Sequence, residues 1–181
     1  GSARSISGFD VHAALEKCSE HLIQFGGHMY AAGMTLKAEN LEAFREAFEK
    51  VGEEILDEEM LTPKVYYDAQ LDVDDADMKF LNILNKMAPF GPGNLTPVFY
   101  AKNLKDDGTG KIIGQTQEHI RLNIKRSKSA IAAVGFGMAA QYTDIKKADS
   151  FEACFQINEN VFRNVSSIQL MLKDIRITKD V

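Results

Sequence analysis

The sequence predicts an α+β fold in two parts. Apolar residues recur at helical spacing through most of residues 1–62, whereas short strand-like runs separated by turn residues dominate residues 63–181. The pair Thr62-Pro63 interrupts both patterns, because proline disfavours helical backbone at the residue before it. We therefore predict a domain boundary there, with a mixed α/β domain before it and a β-rich domain after it.

A capped helix opens the first part. Asp10 is a good N-cap, and apolar side chains then recur at helical spacing over residues 11–25. Gly26 and Gly27 follow directly, and glycine is a common residue at the end of a helix. We expect a helix over residues 11–25 that stops at this glycine pair.

A strand and a second helix complete the first part. The run over residues 31–37 is short and mostly apolar, which predicts a buried strand. Asn40 is expected to cap the helix that follows. The apolar face of that helix comprises Leu41, Phe44, Phe48, Val51 and Ile55. Glutamates occupy the opposite face, which is typical of a solvated surface.

The second part begins with a strand predicted over residues 64–71 and a helix over 74–87 that Asp74 is expected to cap. The loop over 88–97 contains three prolines and two glycines, so no regular element is expected there. The strands that follow are predicted at about 97–104, 111–116, 118–125, 129–136, 151–157 and 166–177, with a helix near 138–147.

Alternation of apolar and polar residues is clearest over residues 119–125. A period of two places Ile120, Leu122 and Ile124 inside, and His119, Arg121, Asn123 and Lys125 on the open face. Several short strands with one inserted helix are typical of a small Greek-key barrel such as the OB fold. We therefore predict an OB-like β-barrel for the second part.

Composition limits the class of protein. With 45% hydrophobic and 26% charged residues, the chain has the composition of an ordinary globular protein. No apolar run approaches the roughly 18 residues of a transmembrane helix and no signal-peptide pattern opens the chain, so a membrane is not an expected partner. Cys18 and Cys154 are far apart, which favours neither a disulfide framework nor a Cys-x-x-Cys metal site and points to the reducing cytoplasm.

The net charge of −5 is unevenly distributed. Residues 1–62 contain 5 Lys+Arg against 12 Asp+Glu, whereas residues 101–130 contain 7 against 3. A local field, rather than the total charge, steers a phosphate backbone to its site. The acidic total therefore does not exclude a polyanionic ligand.

The segment Gly26-Gly27-His28 is the sharpest local signal in the sequence. Two adjacent glycines after a helix allow backbone N–H groups to converge on an anion, and a histidine beside them adds a donor. A helix stop followed by a turn explains the same residues without any ligand. The spacing alone leaves both interpretations open.

Two segments carry a resemblance to a known family. The sequence GGHMYAAG at 26–33 is similar to the signature of the DHH-associated domain of RecJ-like phosphoesterases, and residues 1–5 resemble the Ser-x-Arg-Ser stretch that this domain places at its substrate cleft. The segment PFGPGNLTPVF at 89–99 resembles the opening of the OB-like domain of the RecJ exonucleases within this family. The second match is more discriminating, because smaller members have the GGH domain without such a barrel.

The resemblance implies a C-terminal region that comprises part of a DHH-associated domain (1–62) and an OB-like domain (63–181). It implies a parent enzyme that hydrolyses single-stranded DNA from 5′ to 3′ in recombination and repair. The implied partners are single-stranded DNA, the parent's own N-terminal DHH catalytic domain, and a repair helicase or single-strand-binding protein. The implied phosphate contacts are Arg4, Ser5, Gly26, Gly27 and His28, among which the planar fork of arginine suits a phosphate especially well.

The catalytic part of the family is missing from this sequence. The Asp-His-His motif and its accompanying aspartates, which would hold Mn²⁺ or Mg²⁺ in the parent, are absent. The acidic group at Asp72, Asp74, Asp75 and Asp77 lacks the glycine and glutamate of a calcium loop, and helix capping explains it better. We therefore expect no catalytic residue, no bound metal and no nuclease activity in this chain alone.

The open face of the predicted barrel carries a second candidate site. Its predicted DNA-binding residues are Arg121, Lys125, Arg126 and Lys128, with Lys102, Lys105 and Lys111 nearby. OB sheets bind single strands through a basic track and aromatic stacking platforms. The candidate aromatics are Phe99, Tyr100, Phe136 and Phe162, some of which must fill the core. A solvated surface explains any one of these charges better than DNA binding does, whereas DNA binding explains the group better.

Two other functions stay open at this stage. One is a stand-alone single-strand nucleic-acid-binding module without a catalytic partner, and the other is a DHH-type phosphodiesterase acting on short nucleotides. An upstream reading frame that encodes Asp-His-His would remove the first. Degradation of long single strands by the full protein would remove the second.

Overall fold

The computed structural model describes residues 1–177 and divides into two compact units, the first Gly1–Lys64 and the second beginning at Val65. Each unit has its own hydrophobic core. Over residues 1–177, none of the helices combines the length and the apolar character needed to cross a membrane.

The first unit is a three-stranded antiparallel sheet packed against helices. Its strands are β1 (Ser2–Arg4), β2 (Gln24–His28) and β3 (Ala31–Thr35), in the order β1-β3-β2. Its helices are α1 (Val11–Lys17), α2 (Leu41–Ile55) and α3 (Glu58–Leu61). The core lies between the helices and one sheet face, and its buried members are Phe9, Val11, Ala14, Leu15, Cys18, Ala32 and Val51.

The prediction that a helix extends over residues 11–25 was wrong beyond Lys17. A 3₁₀ turn at Ser19–His21 follows α1, and the glycine pair then lies in β2 instead of ending a helix. Gly27 has a φ of 145°, and a Cβ atom there would lie 2.3 Å from the Ala31 carbonyl oxygen. Glycine is required at this position because β2 approaches β3 closely.

The helix caps differ from the prediction in two of three cases. Asp10 caps α1 as predicted, since its carboxylate accepts a hydrogen bond from Ala13 N–H at 3.0 Å. Asn40 does not cap α2, because its side-chain amide donates to the His21 carbonyl at 3.4 Å. Asp77, and not Asp74, caps the helix that begins at Met78, and its carboxylate accepts from Phe80 N–H at 2.7 Å.

The second unit is built around a seven-stranded sheet. Its strands are β4 (Ala69–Gln70), β5 (Phe99–Leu104), β6 (Lys111–Ile113), β7 (His119–Lys125), β8 (Ala130–Gly135), β9 (Phe151–Phe162) and β10 (Val165–Ile177). Their order is β4-β5-β9-β10-β8-β7-β6. The helices are α4 (Met78–Asn85) and α5 (Tyr142–Lys147). The strand predicted over 64–71 is reduced to β4, and β9 extends five residues beyond its predicted end at 157.

The ladders of this sheet do not close into the predicted barrel. Among the described residues, backbone pairing between the segment after β5 and β7 is limited to an isolated bridge between Asp106 and Ile124, beside which Asn123 N–H donates to the Asp106 carboxylate at 2.8 Å. The Asp106 carboxylate accepts from the N–H groups of Gly108 and Gly110 at 2.9 and 3.0 Å. This turn removes the chain from the ladder before a continuous strand pair can form.

The predicted alternation in β7 is confirmed. Ile120, Leu122 and Ile124 are fully buried, whereas Arg121 and Lys125 are exposed. These three side chains pack in the core of the second unit. Each strand from β5 to β10 contributes at least one buried or partly buried residue to that core. The sheet therefore has one buried face and one outer face, and the charged residues of β7 lie on the outer face.

Candidate nucleic-acid interface

In the first unit, the sheet face opposite α1 and α2 is lined by small residues. Arg4 and His28 both pair with Ala31, so these three residues form one row across the sheet. The neighbouring Ala32 is 5% exposed and belongs to the core, which places the Ala31 row on the opposite face. A further row on this face contains Ser2, Gly33 and Gly26. We call this surface the glycine floor.

Two side chains with hydrogen-bond donors flank the glycine floor. Arg4 is exposed, and its guanidinium donates a hydrogen bond to the Ala3 carbonyl at 2.8 Å. His28 is exposed, and its Nδ1 atom accepts from Tyr30 N–H at 3.2 Å, which places the proton of the neutral ring on Nε2. Two strand spacings, about 10 Å, separate the two residues. A phosphate backbone can therefore approach the floor between two donors.

Ser5 and Gly27 have structural roles. The Ser5 hydroxyl is directed to the carbonyls of Ile6 and Phe9, so its single hydrogen is already shared within the unit. Gly27 lies opposite Ala32, in the row that faces the helices. Because both glycines belong to a paired strand, the turn of converging N–H groups considered from the sequence does not form. The structure brings Arg4, Gly26 and His28 to one face, and phosphate binding by any of the five remains a prediction.

In the second unit, basic residues line the edge of the outer sheet face. Arg121 on β7 is paired directly with Lys111 on β6, and both side chains are exposed. Lys125 lies on the same face of β7, roughly 13 Å farther along the strand. Lys128 is exposed in the turn after β7. We call the set of Lys111, Arg121 and Lys125 the basic edge.

Arg126 is engaged inside the unit and is not an open member of the predicted track. Its guanidinium donates to the Asp74 carbonyl at 2.7 Å, and its side chain is only 18% exposed. The Asp74 carboxylate accepts from Ser127 N–H at 2.9 Å. Hydrogen bonds from Ser127, together with the charge of Arg126, lower the pKa of the Asp74 carboxyl. These contacts join the turn after β7 to the segment before α4.

A cleft of about 420 Å³ opens beside Lys125. It lies between residues 70–74, the end of β5 and residues 125–127. Lys102 lines the cleft together with Lys125, and the amide side chains of Gln70 and Asn103 are also present. The sequence placed Lys102 near the basic residues, but no periodic pattern indicated that residues 70–74 would enclose this space.

The four candidate aromatic residues separate into two groups. Phe99 is 6% exposed and fills the core. Tyr100 is half-buried and stacks on Tyr67 with ring centroids 5.0 Å apart. Burial and the neighbouring Glu152 raise the pKa of Tyr100 to about 12. Phe136 and Phe162 are 59% and 64% exposed, so two aromatic rings are available to a ligand.

Among residues 1–177, no group of three or more His, Cys, Asp or Glu side chains is placed to hold a metal ion. The expectation that this chain binds no metal stays a prediction.

Models of two protein families match the chain. The DHHA1 domain matches residues 1–54, and the RecJ OB domain matches residues 67–174. The chain belongs to the RecJ OB domain family. The two matches together confirm the predicted C-terminal region of RecJ type, with its mixed helix and strand fold.

Curated relatives extend the similarity over nearly the whole chain. The single-stranded-DNA-specific exonuclease RecJ of Bacillus subtilis is 31% identical over 179 residues, covering 99% of this chain and 23% of the relative. The exonuclease of the same name from Haemophilus influenzae is 27% identical over 184 residues, covering 95% of this chain and 31% of the relative. The chain thus spans between about a quarter and a third of these relatives.

Solved structures show the same fold. The crystal structure of RecJ from Thermus thermophilus in complex with Mg²⁺ matches 99% of this chain and 27% of its own, with a TM-score of 0.75 and 19% identity. The Mn²⁺ complex from the same organism matches 100% of this chain and 26% of its own, with a TM-score of 0.76.

Proposed function

We propose that this chain is the single-stranded DNA-binding part of a RecJ-like exonuclease that hydrolyses DNA from 5′ to 3′ in recombination and repair. The observation that carries the proposal is the basic edge on the outer face of an OB-family sheet. Arg121 and Lys111 lie directly opposite each other, and like charges in such a pair oppose folding. A bound phosphate backbone would offset that repulsion.

The division of labour within the parent is part of the proposal. The chain lacks the Asp-His-His motif, so the parent's DHH domain would hold Mn²⁺ or Mg²⁺ and cut the strand. The glycine floor would hold phosphates near the cut, and the basic edge would hold nucleotides farther away. A repair helicase or single-strand-binding protein is a proposed partner. Free Cys18 and Cys154 support a cytoplasmic location.

Binding by the purified chain tests this function. Fluorescence anisotropy with labelled 20-nucleotide single strands and duplexes should show preference for the single strand. The affinity should fall as salt rises, with a slope of log K against log salt of roughly −0.7 for each phosphate contact. Arg121→Ala should weaken binding, whereas Lys79→Ala, an equal charge change on the exposed side of α4, should not. Equal or tighter duplex binding at physiological salt would contradict the proposal.

A cleavage assay tests the proposal that this chain binds the strand but does not cut it. The same chain incubated with Mn²⁺ or Mg²⁺ should release no nucleotides from a labelled single strand. Release that persists through stringent purification would show that the chain itself contains a catalytic site. Absence of strand binding together with hydrolysis of dinucleotides by the parent would favour the short-nucleotide phosphodiesterase instead.

A further inference from the structure

The hairpin formed by β9 and β10 extends beyond the strands on either side of it. Residues 151–155 of β9 pair with β5, and residues 169–172 of β10 pair with β8. Among the described residues, the segment 159–167 pairs only within the hairpin, and every residue in it is exposed. We call this segment the hairpin arm.

The arm ends in a two-residue turn with an unusual composition. Arg163 and Asn164 have φ values of 50° and 63°, as a type I′ turn requires at both central positions. Asparagine and glycine are the usual residues there, and a long side chain such as arginine is disfavoured in this backbone conformation. The Arg163 guanidinium lies 5.2 Å from the centre of the Phe162 ring. The turn therefore places a cation against an exposed aromatic ring. The backbone preference of the turn does not explain why arginine occupies this position.

Phe162 lies on the outer face of the sheet. Alternate residues of β9 from Phe151 to Ile157 are buried in the core, so the even-numbered residues point outward. Phe162 is paired directly with Val165, which is 67% exposed. Val161, which is 62% exposed, points to the other face of the arm.

An uncharged strip connects the arm to the basic edge. Asn158 pairs with Gln169, Gln169 with Ala132, and Ala132 with Asn123, which lies between Arg121 and Lys125 on β7. Because Ala132 has a small side chain, it leaves a shallow depression between Gln169 on β10 and Asn123 on β7. The distance from Lys125 to the tip is roughly 20 Å by strand spacing and rise. This span suits a strand of several nucleotides, within the range of about 4 to 16 that one OB fold binds.

We propose that Phe162 is a stacking platform for one base of a single DNA strand, and that Arg163 holds an adjacent phosphate. The proposal rests on the function proposed above and adds the residues that define the far end of its site. A nucleobase fits because an exposed aromatic ring can stack on the flat face of any base. The outer face of the arm carries no acidic side chain that would repel the phosphates. Glu159 projects to the opposite face with Val161.

The test compares two probes at 50 mM salt, a 20-nucleotide oligothymidylate and a 20-unit abasic deoxyribose phosphate. Phe162→Ala in the full 181-residue chain should weaken binding to the oligothymidylate by about 5- to 150-fold and leave the abasic affinity unchanged. Phe162→Trp should restore binding. Val161→Ala is the matched control, since it removes an equally exposed apolar side chain from the other face, and it should have no effect. Arg163→Ala should weaken both probes, and the loss should shrink as salt rises.

Four results would contradict the proposal. Unchanged oligothymidylate binding by Phe162→Ala would overturn it, as would equal losses for both probes or equal losses for Phe162→Ala and Val161→Ala. A change of oligomeric state in Phe162→Ala, measured by light scattering, would assign the arm to a contact between copies of the chain. If the wild-type chain binds neither probe, the proposed function itself fails, and that result does not depend on Phe162.

Discussion

The two candidate surfaces differ in how they would hold a phosphate backbone. The glycine floor of the first unit combines residues without large side chains with two flanking donors, Arg4 and His28. The basic edge of the second unit consists of long charged side chains on the outer face of β6 and β7. A small-residue floor admits a backbone closely and fixes its position, whereas exposed lysine and arginine act over longer distances and are screened by salt. The difference is what we expect if one surface positions a phosphate for reaction and the other retains the rest of the strand.

The largest effect is expected at Gly27, which lies on the opposite face of the sheet from the glycine floor and holds β2 close to β3. Gly27→Ala should destabilise the first unit by about 2 to 4 kcal/mol, because the new Cβ would lie 2.3 Å from the Ala31 carbonyl oxygen in a backbone conformation that only glycine adopts readily. Urea unfolding followed by circular dichroism measures the loss.

Gly26→Ala is the matched control for that substitution. A Cβ atom at Gly26 would meet nothing within 4 Å, so stability should change by less than about 1 kcal/mol. Equal destabilisation by the two substitutions would show that the floor does not depend on the close approach of β2 and β3.

A smaller effect separates structural from ligand-facing basic residues in the second unit. Arg126→Ala should lower the free energy of unfolding by about 1 kcal/mol, because it removes a donor from the Asp74 carbonyl in a partly exposed setting. Lys128→Ala should leave stability within about 0.5 kcal/mol of the wild type. If thermal unfolding shows a larger loss of stability for Lys128→Ala than for Arg126→Ala, Arg126 has no structural role and is available to bind DNA.

The Asp74 contacts give this prediction a pH dependence. Because the folded-state pKa of Asp74 is lowered, its stabilising contribution is present above the ordinary carboxyl pKa and is lost as pH falls through the folded value. The stability difference between wild type and Asp74→Asn should therefore be largest above the ordinary aspartate pKa of about 3.9 and shrink as the pH falls below it. A difference that grows toward low pH would contradict the assignment.

The smallest effect concerns the aromatic cluster at β5. Tyr100 should ionise near pH 12, whereas an ordinary tyrosine ionises near 10. Its raised pKa contributes stability below pH 10, which is lost as pH rises through the folded value, because the unfolded chain releases this proton first. Ultraviolet titration should show a late step that is absent in Tyr100→Phe. Titration of all five tyrosines near pH 10 in the folded chain would contradict the structure.

The pattern of apolar and polar residues predicted the second unit better than the first. The alternation of β7 placed three buried and two exposed side chains correctly, since a strand with one buried face leaves a direct record in the sequence. The glycine pair misled us because the sequence Gly-Gly is compatible with both a helix end and a close strand pair. The contact that decides between them, with Ala31 and Ala32, comes from the neighbouring strand β3. Arg4 was predicted as a phosphate contact from the resemblance alone, whereas His28 was also indicated by its position beside the glycine pair.

Tertiary contacts also decided which polar residues were available. Asp74 was expected to cap a helix and Arg126 to face DNA, yet the two residues pair across 52 positions of sequence. No local rule reports such a pair, because it depends on where the turn after β7 lies relative to residues 72–74. The boundary at Thr62-Pro63 stays a prediction, which limited proteolysis would test.

We expect the glycine floor to act at the reacting phosphate and the basic edge to act on remote nucleotides. The direct test is steady-state cleavage of single strands of increasing length by the intact parent enzyme. Arg4→Ala or His28→Ala should slow cleavage about 10- to 150-fold at every length, since each removes a charge-assisted hydrogen bond of about 1.5 to 3 kcal/mol. The double variant Arg121→Ala and Lys125→Ala should spare very short strands and impair long ones. If that folded double variant loses activity equally at every length, the basic edge does not bind remote nucleotides and the account is wrong.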